Sequence, residues 1–217
     1  MDILYKDTVR FTWQDNYSIS SKEDFRFRRI QRYFGSEGKI LDIGCRSGSF
    51  QKYLQPGHEY YGMDFIPDYK KYIPRFIHHD ITSGKFPIEN DFFDYVYLGE
   101  VLEHVSNFFF VFEEVYRILK PGGLMLLTVP NNFNISQALG IINSKKYKRK
   151  NLDTQSVINF DTHIHSLYEP DILKICQLIG YKPSDCDRFY NKFYGMKLPE
   201  ISLFKPFAGF IMFAARK

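Results

Sequence analysis

The chain alternates short apolar runs with amphipathic stretches. Lys39-Ile40-Leu41-Asp42-Ile43 carries apolar residues at both parities, the pattern of a strand buried on two faces. Comparable runs recur at Glu59 to Met63, Arg75 to His79, Tyr95 to Leu98 and Leu124 to Val129. Between them the period lengthens. Phe25 to Phe34 sets Phe27, Ile30 and Phe34 near one helical face, ended by Gly35 and Gly38. Ser49 to Leu54 opens a second helix, stopped by Pro56-Gly57. Val105 to Leu119 is the clearest helix, ended by Pro121-Gly122-Gly123. Tyr168 to Gly180 predicts a further helix, and Tyr181 to Tyr190 and Phe207 to Ala215 two final strands. Strands alternating with helices predict an open, doubly wound, mostly parallel α/β sheet.

Length and composition narrow this picture. The 217 residues suit one domain, 1–217, with a helical segment at 1–35 and an insertion at 131–167 that caps the sheet's top edge. A charged fraction of 25% beside 44% hydrophobic residues excludes a largely disordered chain. Aromatics reach 18%, which predicts a bulky core. The net charge of +4 makes nucleic acid a possible partner but not a required one. Cys45, Cys176 and Cys186 form no C-x-x-C pair, which argues against a disulfide framework and a zinc ribbon. The N-terminus lacks a signal-peptide layout, and the longest apolar run is nine residues, against about 20 for a membrane span. A soluble, cytoplasmic protein is expected.

Ligands of open α/β sheets bind beyond the carboxyl ends of the strands. Four successive strands here end in Asp42-Ile43-Gly44, Asp64, Asp80 and Glu100. Gly44 lets a ligand approach the backbone, and Asp64, 20 residues on, suits the two hydroxyls of a ribose. A nucleoside ligand follows. The dinucleotide fingerprint G-x-G-x-x-G fails, because Arg46 and Ser49 stand where glycines are required.

Ile40-Leu41-Asp42-Ile43-Gly44-Cys45-Arg46-Ser47-Gly48 resembles motif I of the class I S-adenosylmethionine-dependent methyltransferases. The resemblance runs from about residue 39 to 217 and continues through Gly62-Met63-Asp64, His79-Asp80-Ile81, Phe93-Asp94-Tyr95-Val96, Glu100-Val101-Leu102-Glu103-His104-Val105 and Leu119-Lys120-Pro121-Gly122-Gly123-Leu124. Arg46 departs from it, since the family often has a middle glycine there. The resemblance implies a Rossmann-like seven-stranded sheet, mostly parallel, with its last strand antiparallel. It implies S-adenosylmethionine as cofactor. Asp42, Gly44, Cys45 and Gly48 would shape the methionine end of the pocket, with Cys45 packing inside the loop. Asp64 would hold the ribose, Asp80 and Ile81 would meet the adenine, and Gly99 would line the methionine side.

Methyl transfer to a hydroxyl benefits from a base, and an imidazole titrates near neutrality. His104, with Glu100 and Glu103, is therefore the catalytic candidate, and the expected acceptor is an oxygen on a small molecule, lipid precursor or glycan. Glu100, Glu103 and His104 at i, i+3 and i+4 would share one helix face. With His163 and His165 they fit a divalent metal, a pattern similar to the small-RNA 3′-terminal 2′-O-methyltransferases; a Glu and a His that only hydrogen-bond the loop fit as well, and are favoured. RNA would meet the Lys145-Lys146-Tyr147-Lys148-Arg149-Lys150 cluster, which otherwise reads as a solvated loop. Arg26, Arg28, Arg29 and Arg32 would reach the cofactor carboxylate or an anionic substrate, or form a solvated helix face, the plainer expectation. A third reading is a non-catalytic protein that keeps the fold for binding. Oligomeric state is not legible.

Overall fold

The computed structural model describes residues 21–131, 167–193, 196–197, 199, 203 and 208–217. Helix α1 spans Ser21–Ile30 and runs into a 3-10 turn, Gln31–Tyr33. Glu23 and Asp24 in its first turn and Arg28 and Arg29 in its last complement the helix dipole. The strands are β1 (Glu37–Ile43), β2 (Gly57–Asp64), β3 (Phe76–His78), β4 (Phe93–Gly99), β5 (Leu119–Pro130), β6 (Lys182–Phe193), β7 (Met196–Lys197) and β8 (Ala208–Arg216). Helices α2 (Phe108–Ile118) and α3 (Glu169–Ile179) complete the architecture.

Strand order is β3-β2-β1-β4-β5-β8-β6-β7. The pairs from β3 through β5 are parallel, and β8 runs antiparallel to both β5 and β6. This is the expected seven-stranded sheet with its last long strand reversed, plus the two-residue β7 hydrogen-bonded to β6. The chain leaves β1 toward β2 and β3, then returns to the other side of β1 as β4. The order therefore reverses between β1 and β4, and a crevice opens above that point.

Alternating side chains divide the core into two layers. Ile40, Tyr60, Tyr97, Leu126 and Met212 face α1, where they bury Phe27, Ile30 and Phe34. Leu41, Ile43, Val96, Leu98 and Leu127 face α2 and α3, against Val111, Val115, Ile172 and Cys176. With both faces covered, β1 and β5 read as nearly continuous apolar runs.

Two expectations change. The helix predicted at Ser49 to Leu54 is a 3-10 turn, Ser49–Tyr53. The seven residues between Gly48 and Pro56 are too few to repay helix nucleation. The helix predicted from Val105 begins at Phe108, where the Asn107 side chain accepts a hydrogen bond from the Phe110 N–H. It stops at Ile118, and β5 starts at the next residue, ahead of Pro121-Gly122-Gly123.

Candidate active site

The glycine loop leaves β1 directly at the reversal point. Gly44, Arg46 and Gly48 have φ of 70°, 49° and 72°. Arg46 thus adopts the left-handed conformation that a glycine reaches without strain, and the departure from the family pattern leaves the loop's shape intact. Gly44 admits no side chain, since a Cβ there would lie 2.5 Å from Val101 Cγ2, on the segment that follows β4. The N–H groups of Gly44 and Cys45 both donate to the Met63 carbonyl, at 2.8 and 3.3 Å. Cys45 is buried, and burial pushes its thiol far above the usual range, so it packs as an apolar residue.

The acidic residues hold different positions. Asp64 ends β2 and is 6% exposed. Its carboxylate accepts from the N–H groups of Arg46 and Ile66, each at 3.0 Å. Burial raises its pKa, and these N–H donors pull it back. Asp80 follows β3 and turns its carboxylate onto the Thr82 N–H and hydroxyl, at 2.8 and 2.7 Å. Ile81 is partly buried against the α2 layer of the core. Gly99 closes β4, and Glu100 follows with φ of 59°, its N–H donating to the Thr128 carbonyl at 2.9 Å.

Asp42 was expected to line the ligand edge with the others. It shares the α1 face of the sheet with Asp64, is 4% exposed, and accepts a hydrogen bond from Tyr60 at 2.6 Å. Burial lifts its carboxyl to about 7, against the Tyr60 hydrogen bond and the Arg26 charge.

The helix expected to align Glu100, Glu103 and His104 is absent. Glu100 is left-handed, and only Leu102–His104 form a 3-10 turn. Three residues per turn, begun after Glu100, remove the shared face. Glu103 is 1% exposed, and burial together with the Glu100 charge raises its carboxyl to about 8. The His104 side chain is 30% exposed, with Nε2 3.9 Å from Glu103 Oε1. Among the described residues no group of three His, Cys, Asp or Glu side chains gathers as a metal site. His163, His165, the Lys145–Lys150 cluster and the body of the 131–167 insertion lie outside the described residues. Among those described, no helix is long and apolar enough to cross a membrane.

Arg26 is the residue that sequence reasoning misplaced. The structure buries it to 7% exposure on the sheet side of α1, with Nη1 4.0 Å from Glu100 Oε1. Burial opposes its charge, but Tyr97, Glu100, Glu23 and Asp42 outweigh that and raise its pKa. The signal was its position four residues before Ile30, on the apolar stripe.

Comparison with known proteins agrees with this architecture. Residues 21–184 match the methyltransferase domain family. The mitochondrial ubiquinone biosynthesis O-methyltransferase of Mus musculus is 28% identical over 173 residues, 72% of this chain and 45% of that protein. The demethylmenaquinone methyltransferase of Anoxybacillus flavithermus is 32% identical over 124 residues, 50% of this chain and 52% of that protein. The chain thus spans about half the length of these curated relatives. A solved S-adenosylmethionine-dependent methyltransferase from Archaeoglobus fulgidus shares the fold with a TM-score of 0.65 at 16% identity, covering 89% of this chain and 92% of that one. The chain belongs to the methyltransferase domain family, and its cofactor is S-adenosylmethionine. The residues present suit that cofactor: a glycine loop at the reversal point, an acid ending β2, and a buried Arg26 Nε and Glu100 Oε1 that make no hydrogen bond.

Proposed function

We propose that this protein methylates a hydroxyl oxygen of a small-molecule or lipid-precursor acceptor, with His104 as the base. The observation that carries this reading is the His104 ring, accessible at the carboxyl edge of the sheet and 3.9 Å from the buried Glu103 carboxyl. The mouse relative, named for O-methylation in ubiquinone biosynthesis, supports an oxygen acceptor and a small molecule.

The loop from Gly44 to Gly48, Asp64, Asp80 and Gly99 would hold the cofactor. When bound, the cofactor supplies a methyl group already activated on a sulfonium. The chain's own task is then alignment and proton handling. His104 would take the acceptor's hydroxyl proton on a ring nitrogen, while the cofactor would give up its methyl group to the oxygen by loss of the S–CH3 bond and leave as S-adenosylhomocysteine.

The test measures S-adenosylhomocysteine formation with panels of phenols, catechols, prenylated phenols and sugars, beside thiols and short RNAs. Turnover is expected with hydroxyl acceptors. His104→Ala should lower kcat by about 10²–10⁴-fold with cofactor affinity unchanged. Turnover with thiols or RNA alone, or full activity in His104→Ala, would overturn the reading.

A further inference from the structure

Exposed apolar side chains concentrate at one end of the molecule. Among the described residues, six large hydrophobic side chains are exposed. Five belong to connections at the carboxyl edge of the sheet: Phe65 and Tyr72 between β2 and β3, Phe109 in the first turn of α2, Tyr168 just before α3, and Leu203 between β7 and β8. Of the six, Leu178 alone lies at the other end, in the last turn of α3. Leaving such side chains in water is unfavourable, and Leu203 is 74% exposed. Their gathering at the edge that carries the active site marks that edge as an interaction surface.

Positive charge gathers in the same connections. Residues 65–75, 132–167 and 190–207 hold eleven Lys or Arg against four Asp or Glu, which leaves 18 against 21 in the rest of the chain. The connection that leads to Phe109 carries two acids, Glu100 and Glu103, but both are largely buried. Lys71 and Tyr72 are both exposed, with the Lys71 Nζ 4.8 Å from the ring centroid. The pairing of β7 with the end of β6 sets Lys192 opposite Lys197 and Phe193 opposite Met196. Opposed residues of a ladder share a face, so one face of this hairpin carries two lysines and the other two apolar residues. Like charges directly opposite are destabilising, and an anionic surface removes that penalty.

Apolar rings interspersed with lysines suit a bilayer interface, where the rings enter the headgroup layer and the lysines meet anionic lipids. We propose that the carboxyl edge of the sheet docks on an anionic lipid surface, so that the active site faces the bilayer. The five apolar residues sit on four separate connections, which suits shallow insertion at several points better than a peptide in one groove. A hydroxyl acceptor dissolved in the membrane would then enter the site without crossing water; this last step rests on the lipid-precursor acceptor proposed above.

The experiment is flotation of the purified chain with two kinds of vesicle: phosphatidylcholine alone, and phosphatidylcholine with about one quarter phosphatidylglycerol. No acceptor or cofactor is added, so the result does not depend on which acceptor is methylated. The chain should float with the anionic vesicles and far less with the neutral ones, and its binding should fall as salt rises. Lys192→Gln combined with Lys197→Gln should weaken binding by about tenfold or more. Phe109→Ser combined with Leu203→Ser should weaken it by about tenfold. These pairs lie on different elements, so one remains a test if the other disturbs folding. Leu178→Ser, at the opposite end, should leave binding unchanged. A wild type that floats with neither vesicle, or an equal loss in Leu178→Ser, would overturn the proposal. So would a concentration-dependent dimer in sedimentation without vesicle binding, which would assign this edge to a second copy of the chain. Vesicle binding in a chain that methylates no hydroxyl would support the docking and overturn only the acceptor reading.

Discussion

The carboxylate of Asp64 accepts a hydrogen bond at 3.0 Å from the backbone N–H of Arg46. The acid that ends β2 thereby holds the loop that leaves β1, and its second oxygen anchors the turn at Ile66. Asp64 is therefore a loop anchor as well as the ribose-binding candidate. Asp64→Ala should weaken S-adenosylhomocysteine sharply in calorimetry. It should also cost about 1–3 kcal/mol of unfolding free energy in urea, because two partly buried N–H donors lose their acceptor. Loss of affinity without loss of stability would contradict the anchoring role.

Gly44 and Arg46 share a left-handed backbone but should respond oppositely to substitution. Gly44→Ala places a Cβ 2.5 Å from Val101 Cγ2 at a φ of 70°. It should destabilise the protein and abolish cofactor binding. Arg46→Gly removes about 1–2 kcal/mol of local strain and restores part of that as chain entropy in the unfolded state. Its melting temperature should stay at or slightly above wild type. A marked drop for Arg46→Gly would show that the arginine side chain, rather than the loop conformation, maintains the site.

Tyr60 and Asp42 form a buried pair with a 2.6 Å hydrogen bond. Tyr60→Phe removes the donor and leaves the carboxyl buried without it. The expected cost is about 1–3 kcal/mol in chemical denaturation. The Asp42 carboxyl should also rise further above its present value of about 7, since Tyr60 is one of the influences lowering it. Unchanged stability in Tyr60→Phe would mean the hydrogen bond contributes nothing net.

Two buried carboxyls set a pH dependence. Asp42 is raised to about 7 and Glu103 to about 8, both chiefly by burial. Each binds its proton more tightly in the folded protein than in the unfolded chain. Stability from this source is complete below about pH 4, the unfolded range of these acids, and is lost as pH rises through the folded values. The melting temperature of the cofactor-free protein should therefore fall between about pH 5 and 8.5. Glu103→Gln, neutral at every pH, should flatten the upper part of that fall. A melting temperature that rises across this window would contradict the burial argument.

The local pattern determined a good deal. The strand runs show at β1, β2, β4 and β5 because strands covered on both faces must be apolar at both parities. The glycine loop, Asp64, Asp80 and Glu100 could be ordered along one edge because strand ends follow from where those runs stop. Those features sufficed to indicate the methyltransferase fold and its cofactor.

Only tertiary structure decided how these pieces face one another. Parity along β1 put Asp42 on one face, but the packing of α1 and Tyr60 made that face its burial place. The i, i+3, i+4 spacing of Glu100, Glu103 and His104 promised a helix face, and the left-handed Glu100 beside Thr128 removed it. Arg26 looked like one of several solvated arginines until α1 lay across the sheet and sealed it against Glu100. Sequence by itself determined which residues form strands and where they end, because backbone period and turn chemistry are local. The burial of a charge, and the partner it meets there, depends on segments distant in the chain, and that the tertiary structure alone decided.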